Sequence, residues 1–352
     1  MSPEVASVAG RALRVAMVCP YDLSRPGGVQ GQAVGLARAL RLLGHEVVVV
    51  APDDRPPGWV TGHSYTPGRA RGVRANGSVA PVSLSPLAAK RSVDAVRQWG
   101  ADVVHLHEPL APVLGYGFTL ARRWPVVATF HRSGAPRMAS LVSPVARRAC
   151  AGFDVRVAVS EAARKSAVAL CPGAYEVLFN GVDLARLARA RPVDRVDRAA
   201  AILFLGRHEH RKGLGVLLEA FSQLSSTGVP GSSLGVAAEL WVAGDGPKTA
   251  ELRRRYPASA RLHWLGVVTD EEVAERLAGA RVLCAPSLGG ESFGVVLLEA
   301  MAARCGVVAS DIPGYREATG GLATLVPPGD VGALRSALGA AVRAPTDNGV
   351  LD

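Results

Sequence analysis

Several features that would assign a protein to a class at once are missing from this sequence. No run of 18 uncharged apolar residues is present, so no transmembrane helix is expected. A G-x-G-x-x-G fingerprint is also missing, which argues against a nicotinamide cofactor. The sequence contains no D-x-D motif and no C-x-x-C pair. Membrane-spanning proteins and dinucleotide-dependent enzymes are therefore disfavoured from the start.

Cysteine is scarce, and its number is odd, which argues against a framework of disulfides. The five cysteines are Cys19, Cys150, Cys171, Cys284 and Cys305. We expect buried, reduced thiols. Arg11 and Arg14 interrupt the first apolar stretch, so no signal peptide is expected. Together these features predict a cytoplasmic protein.

Lysine is rare, with 4 Lys against 36 Arg, and the formal net charge is +10. Residues 1–178 carry 21 Arg and Lys against 11 Asp and Glu, so the whole excess lies in the first half. Two interpretations remain open, namely an Arg-rich coding bias and an anionic partner. Among anionic partners, nucleic acid is disfavoured because the arginines show no aromatic interleaving. An anionic membrane surface therefore stays open beside the coding bias.

The length of 352 residues suits two domains of about 150 residues each. Hydrophobic residues make up 49% and charged residues 20%, which excludes a disordered, collagenous or coiled-coil protein. Short Val-rich strands alternate with helices, and the pattern occurs twice. It predicts an α/β fold with two doubly wound parallel sheets, over residues 1–179 and 180–352, with ligands at the carboxyl ends of the strands. Residues 54–80 look irregular and are expected to form a long loop.

Three loops that follow predicted strands carry candidate binding residues. In Pro26-Gly27-Gly28-Val29-Gln30 the glycines allow a ligand close to a helix start, although a plain turn fits as well. Further along, Arg207 and Lys212 lie five positions apart in the loop after a predicted strand. They could hold a diphosphate, and ordinary surface cations are the alternative.

The third loop runs from Gly289 to Glu299 and opens a helix. Free backbone amides at the helix start suit a phosphate. A carboxylate suits sugar hydroxyls better, so Glu291 is a candidate for that role. The alternatives are a capping acid for Glu291 and an exposed helical residue for Glu299.

Histidine supplies a further candidate. His105 and His107 precede Glu108, but we expect the two rings to diverge on opposite strand faces, so no metal site is predicted. His131 ends a strand at the predicted ligand site, where it could position a substrate or assist proton transfer.

A predicted helix over residues 88–99 carries Lys90, Arg91 and Arg97. A basic amphipathic helix suits an anionic lipid surface, and a solvated helix face fits the same pattern.

Taken together, these motifs resemble the retaining glycosyltransferases with two Rossmann-like domains, the GT-B fold of glycosyltransferase family 4. The resemblance rests on the stretches G-E-S-F-G-V-V-L-L-E-A-M-A, F-L-G-R with R-K-G, A-G-D-G-P and N-G-V-D. Within that family the sequence is most similar to actinobacterial phosphatidylinositol α-mannosyltransferases. That similarity rests on V-C-P-Y, P-G-G-V-Q, N-G-S-V-A, H-L-H-E-P and A-T-F-H.

The resemblance implies a donor nucleotide sugar, GDP-mannose, bound without a metal cofactor. Arg207, Arg211 and Lys212 would hold its diphosphate, Glu291 the mannose hydroxyls and Glu299 the ribose. His131 would lie at the reacting carbon, and Gly28 beside the diphosphate. The remaining implied donor contacts are Val268, Asp270, Val295, Val296, Leu297 and Leu298.

For the acceptor, the resemblance implies phosphatidylinositol at the inner face of the cell membrane, with the enzyme bound peripherally. The implied contacts are Tyr21, Gln30, Asn76, Ser78 and Arg132. Two positions depart from the family pattern, which usually has an aromatic residue and an arginine where this chain has Ala75 and Pro81. Both lie on the acceptor side. The alternatives are a UDP-sugar with a soluble acceptor such as inositol phosphate, and a non-catalytic protein that binds a nucleotide sugar or lipid.

Overall fold

The structure is a computed structural model that describes residues 11–24, 27–52, 64–65, 71–75, 78–111, 113–134, 144–192, 201–226 and 238–344. The chain forms two compact units, divided between Leu178 and Phe179. Two short segments, Arg132–Gly134 and Ser160–Ala163, group with the second unit.

The first unit is built on a seven-stranded parallel sheet with the order β3-β2-β1-β6-β7-β8-β9. Its strands are β1 (Arg14–Val18), β2 (Glu46–Val50), β3 (Ser64–Tyr65), β6 (Val103–His107), β7 (Val126–Phe130), β8 (Val155–Ala158) and β9 (Glu176–Val177). Its helices are α1 (Gly28–Leu42), α2 (Pro86–Trp99), α3 (Leu114–Ala121), α4 (Pro144–Cys150) and α5 (Glu161–Leu170). The central strands are apolar on both faces, as a parallel sheet covered by helices requires.

A small antiparallel hairpin of β4 (Arg71–Ala75) and β5 (Ser78–Val82) accompanies this sheet. The expectation that residues 54–80 lack regular structure is therefore wrong for the hairpin and for β3. The missed signal is the dipeptide Asn-Gly between Ala75 and Ser78, which is a strong hairpin signal. It was hidden because neither strand alternates apolar and polar residues.

The second unit is built on a six-stranded parallel sheet with the order β12-β11-β10-β13-β14-β15. Its strands are β10 (Ala201–Leu205), β11 (Glu239–Ala243), β12 (Leu262–Gly266), β13 (Val282–Ala285), β14 (Gly306–Ser310) and β15 (Thr324–Val326). Its helices are α6 (Leu184–Arg189), α7 (Leu214–Ser226), α8 (Thr249–Arg255), α9 (Asp270–Gly279), α10 (Val295–Ala302), α11 (Pro313–Thr319) and α12 (Val331–Arg343). The predicted fold class, two doubly wound parallel sheets, is confirmed.

The strand orders determine which loops meet. In the first sheet β1 lies beside β6, and in the second β10 lies beside β13. Consecutive strands spread in opposite directions from each of these pairs, so the loops at their carboxyl ends leave a crevice where open α/β sheets bind ligands.

Cys150 and Cys171 form a disulfide, with Cα atoms 5.6 Å apart. The expectation of five reduced thiols is therefore wrong for these two. Both cysteines belong to one apolar core, in which the ends of α4 and α5 meet. Cys19, Cys284 and Cys305 are buried thiols, as expected.

Candidate active site

In the second unit, the loops after β10 and β13 bring a cluster of charged side chains together. Arg211 and Lys212 lie in the first loop, where residues His210–Lys212 form a 3₁₀ turn. Glu291 lies in the second loop. Nη1 of Arg211 is 2.5 Å from Oε1 of Glu291, and Nζ of Lys212 is 2.9 Å from the same oxygen. Two cations predicted to hold the diphosphate thus meet at the carboxylate of Glu291, which is predicted to bind the sugar.

Arg207 joins this cluster through Glu209, a residue not predicted from the sequence. Oε1 of Glu209 is 3.1 Å from Nη2 of Arg207, and Oε2 is 3.0 Å from Nε of Arg211. The Glu209 side chain is only 4% exposed. A carboxylate buried to this degree needs charged partners, so Glu209 fixes the positions of both guanidinium groups. Its one sequence signal was an acidic residue inside a strongly basic loop.

A glycine in each loop permits a close contact that a larger residue would block. Gly213 has φ +69°, and a Cβ there would lie 1.8 Å from the carbonyl oxygen of Pro286. Gly294 has φ +94°, and a Cβ there would lie 2.6 Å from the ring of Tyr315. The Tyr315 hydroxyl in turn is 2.8 Å from Oγ of Ser287. A side chain at Gly213 would push the two loops apart, and one at Gly294 would push the second loop away from Tyr315 in α11.

Arg186, in α6, brings two further predicted residues together. Its Nη2 is 2.5 Å from Oε1 of Glu299, and its Nη1 donates to the backbone oxygen of Asp270 at 2.5 Å. Burial raises the pKa of the Glu299 carboxyl, and Arg186 opposes that rise. Asp183 caps α6 by accepting from the Arg186 amide. Arg186 was not predicted, because 113 residues separate it from Glu299.

Further residues predicted to contact the donor lie near the starts of α9 and α10 in the second unit. Val268 is partly buried in the turn before α9, which begins at Asp270. At the start of α10, Gly294 has no side chain to cap the first amides. Among the first residues of this helix, Leu297 is in the core, whereas the others are partly buried: Val295, Val296 and Leu298.

In the first unit, three histidines gather where β6 and β7 end. Nδ1 of His107 is 2.8 Å from Nε2 of His131, and Nε2 of His107 is 3.0 Å from Sδ of Met17. His105 lies beside His107, with ring centroids 4.7 Å apart. The expectation that His105 and His107 diverge is wrong, because residues two apart on a strand point to the same face.

The environment of this cluster keeps the histidines neutral. Burial lowers the pKa of His105 to about 4 and that of His131 to about 3. Burial also lowers the pKa of His107 well below its usual range. Glu108, in the left-handed region at φ +48°, turns its carboxylate back to accept the His131 amide at 2.7 Å. A neutral His131 can accept or donate a hydrogen bond but carries no charge at physiological pH.

The predicted acceptor residues are only partly within the described chain. Tyr21 is buried and pairs with Val82 through a β-bridge. The buried Gln30 donates from Nε2 to the backbone oxygen of Asp22 at 3.3 Å. Arg132 is exposed just after β7.

Asn76 lies outside the described residues, and of Ser78 only the backbone is described, paired with Ala75 in the hairpin. Gly28 begins α1 and is exposed, and a Cβ there would meet no atom of the described residues within 4 Å. The described part of the chain therefore imposes no steric need for glycine at this position.

Helix α2 presents the basic residues singled out in the sequence. Lys90, Arg91 and Arg97 are exposed, and Lys90 forms an ion pair with Asp94 at 2.8 Å. Leu87 is 55% exposed on the same helix. The outer surface of α2 thus combines cations with an exposed apolar side chain.

In the part of the chain that the structure describes, no helix is long and apolar enough to cross a membrane. The same residues include no group of three or more His, Cys, Asp or Glu side chains placed to hold a metal ion.

Comparison with known proteins places both units among glycosyltransferases. Residues 26–186 match Glycosyltransferase Family 4, and residues 199–343 match the glycosyl transferases of group 1. The chain is 38% identical to the phosphatidyl-myo-inositol mannosyltransferase of Mycolicibacterium smegmatis, over 93% of this chain and 84% of that protein. It is 31% identical to a GDP-mannose-dependent alpha-mannosyltransferase of Mycobacterium tuberculosis, over 87% of this chain and 81% of that protein.

Among solved structures, the chain is similar to HepE of Anabaena in complex with UDP and glucose, with a TM-score of 0.71. The match covers 94% of this chain and 90% of that one at 17% identity, which supports the fold alone.

Proposed function

Because the chain belongs to the glycosyltransferase family that includes the phosphatidyl-myo-inositol mannosyltransferases, we propose that it transfers mannose from GDP-mannose to the inositol of phosphatidylinositol. The observation that carries the proposal is the meeting of Arg211, Lys212 and Glu291, with Arg207 held alongside by Glu209. Such a cluster offers positive charge for a diphosphate and a carboxylate for sugar hydroxyls.

The cations act on the leaving group. When the bond between mannose and the diphosphate breaks, negative charge develops on the diphosphate oxygens. Arg207, Arg211 and Lys212 would stabilise that charge, as preorganised donors do in a site with little water. Glu291 and the diphosphate compete for the same two cations, so donor binding would release the Glu291 carboxylate to the mannose hydroxyls.

The nucleoside would be held by the groups around Arg186. Glu299, oriented by Arg186, would accept hydrogen bonds from the ribose hydroxyls. Val268 and Asp270 would lie beside the guanine, and the open amides at the start of α10 would contact phosphate.

Retention of the anomeric configuration would follow from front-side attack. The inositol hydroxyl forms its bond to the anomeric carbon on the face from which the diphosphate leaves. The hydroxyl proton passes to a phosphate oxygen of the departing GDP, so no protein nucleophile is needed. His131 would contact the reacting sugar, with Tyr21, Gln30, Asn76, Ser78 and Arg132 contacting the acceptor.

The acceptor is a membrane lipid, so the enzyme must reach an anionic surface. We assign this role to the outer face of α2, where Lys90, Arg91 and Arg97 would meet lipid phosphates and Leu87 would enter the interface. This contact makes the protein peripheral on the inner face of the cell membrane.

Release of nucleotide from GDP-mannose and from UDP-sugars, with and without phosphatidylinositol vesicles, tests the proposal. We expect vesicle-dependent release from GDP-mannose and a radiolabelled mannolipid. Turnover only with a UDP-sugar and soluble inositol phosphate would refute the donor and the acceptor. No turnover, but tight nucleotide binding, would identify a non-catalytic binding protein.

Two variants separate the site from general effects of charge. Glu291→Gln removes the shared carboxylate and is expected to lower kcat/KM about a hundredfold. Glu251→Gln is the matched control, because Glu251 is exposed and forms an ion pair with Lys248 on the surface. Full activity of Glu291→Gln would contradict the site assignment.

A further inference from the structure

His131 lies beside two buried side chains, His107 and Met17, at the ends of β6 and β1. Neither His107 nor Met17 is among the residues predicted to contact substrate, yet both are fully enclosed near His131. His107 is 3% exposed and Met17 is 0% exposed. Each of their polar atoms therefore has to be satisfied inside the protein.

The thioether sulfur of Met17 limits the tautomer of His107. Nε2 of His107 is 3.0 Å from Sδ of Met17. A thioether can only accept a hydrogen bond, so Nε2 of His107 has to carry the proton. A neutral imidazole has a single N–H, and Nδ1 of His107 is therefore an acceptor.

The hydrogen bond between His107 and His131 then determines the tautomer of His131. Nδ1 of His107 is 2.8 Å from Nε2 of His131. The two rings are nearly parallel, at 24°, with centroids 5.0 Å apart, which permits an N–H···N bond close to the ring planes. Because Nδ1 of His107 accepts, Nε2 of His131 donates, and Nδ1 of His131 holds a lone pair.

We propose that Met17 and His107 hold His131 as its Nε2–H tautomer, so that Nδ1 of His131 accepts a hydrogen bond from a sugar hydroxyl of the substrate. Met17 and His107 are thus positioning residues, and His131 is the group that touches substrate. The assignment of the hydroxyl rests on the proposed function. The tautomer itself rests only on the contacts among the three side chains.

The neighbouring contacts agree with a fixed ring. The Glu108 carboxylate holds the backbone amide of His131 at 2.7 Å, which sets the position of its Cα. Within the described residues, no hydrogen bond reaches Nδ1 of His131. That nitrogen is therefore the one left for a ligand.

His105 provides a matched control. It lies on the same strand, its ring is parallel to that of His107, and its Nε2 is 2.7 Å from Oγ1 of Thr129. It makes no hydrogen bond to His131, so a change at His105 alters the packing of the cluster but not the tautomer of His131.

The test is long-range ¹H–¹⁵N NMR on protein labelled in histidine, which distinguishes protonated from unprotonated ring nitrogens. We expect a protonated Nε2 and an unprotonated Nδ1 at His131. Met17→Leu conserves volume but removes the sulfur acceptor. It should mix the tautomers of His131 and lower kcat about tenfold, the effect of one lost hydrogen bond, with the KM for donor nearly unchanged. His107→Leu should do the same.

His107→Asn places an amide oxygen close to the position of Nδ1 and should restore the tautomer and most of the activity. His105→Gln should leave the tautomer unchanged. A proton on Nδ1 of His131, or an unchanged tautomer in both Met17→Leu and His107→Leu, would overturn the inference. The spectra need no substrate, so an inactive protein with the expected tautomer would refute the proposed function and leave the tautomer assignment intact.

Discussion

The buried histidines make the first unit sensitive to acid. An unfolded histidine titrates near pH 6.5, whereas burial lowers the pKa of His105 to about 4 and that of His131 to about 3 in the folded chain. At a pH between the unfolded pKa of about 6.5 and these lower folded pKa values, the histidines bind protons in the unfolded state but not in the folded state. The free energy of unfolding therefore falls as the pH falls below about 6.5.

The magnitude follows from the size of that interval. Below about pH 6.5, each of these two histidines lowers the free energy of unfolding by about 1.4 kcal/mol per pH unit. At about pH 5 the loss is about 2 kcal/mol for each histidine and about 4 kcal/mol for the two together. His107 adds to the loss in the same direction. A domain is stable by only about 5–15 kcal/mol in total, so the effect is large.

The assay is urea unfolding at about pH 7.5 and about pH 5, followed by fluorine NMR of fluorotryptophan. Trp99 and Trp124 pack against the core of the first unit, and Trp241 and Trp264 report on the second. His105→Gln removes one titrating group and should lose about 2 kcal/mol less than the unsubstituted protein on acidification. The reasoning is refuted if the free energy of unfolding reported by Trp99 and Trp124 falls by the same amount in both proteins on acidification.

Three further predictions concern the other sites. Glu209→Gln should lower kcat/KM by about 10- to 100-fold, because Arg207 and Arg211 lose the carboxylate that both contact. An unchanged kcat/KM for GDP-mannose in steady-state kinetics would contradict this prediction. Gly28→Ala should leave thermal stability equal or higher, since the added Cβ meets no atom of the residues that the structure describes within 4 Å, but it should weaken donor binding in calorimetry. Gly35→Ala, on the same helix and equally open, is its control and should bind donor normally. Arg186→Ala should raise the KM for GDP-mannose more than it lowers kcat, because it frees the Glu299 side chain, and equal effects on both would argue against a ribose contact.

Much of the fold was readable from local pattern. The strands β2, β6 and β7 are short Val-rich runs, the helices α1, α9 and α12 carry an amphipathic pattern, and the structure contains all six. Short elements carry weaker signals. β3 and β9 have two residues each, and the hairpin of β4 and β5 lacks an alternating apolar face.

Some residues of the candidate site also carry a local sequence signal. Arg207, Lys212 and Glu291 could be singled out because each follows a strand in a glycine-rich loop, which is information carried by neighbours in the chain. What the sequence by itself determined was which loops hold the charged groups.

Only the tertiary structure decided which groups pair. Glu209 lies between two guanidinium groups, Arg186 reaches Glu299, and His107 bonds to His131. These pairings depend on which strands are neighbours and on how far each side chain extends, and neither follows from spacing along the chain. A buried polar atom needs a partner, but the identity of that partner is settled only when the sheet order brings distant loops together.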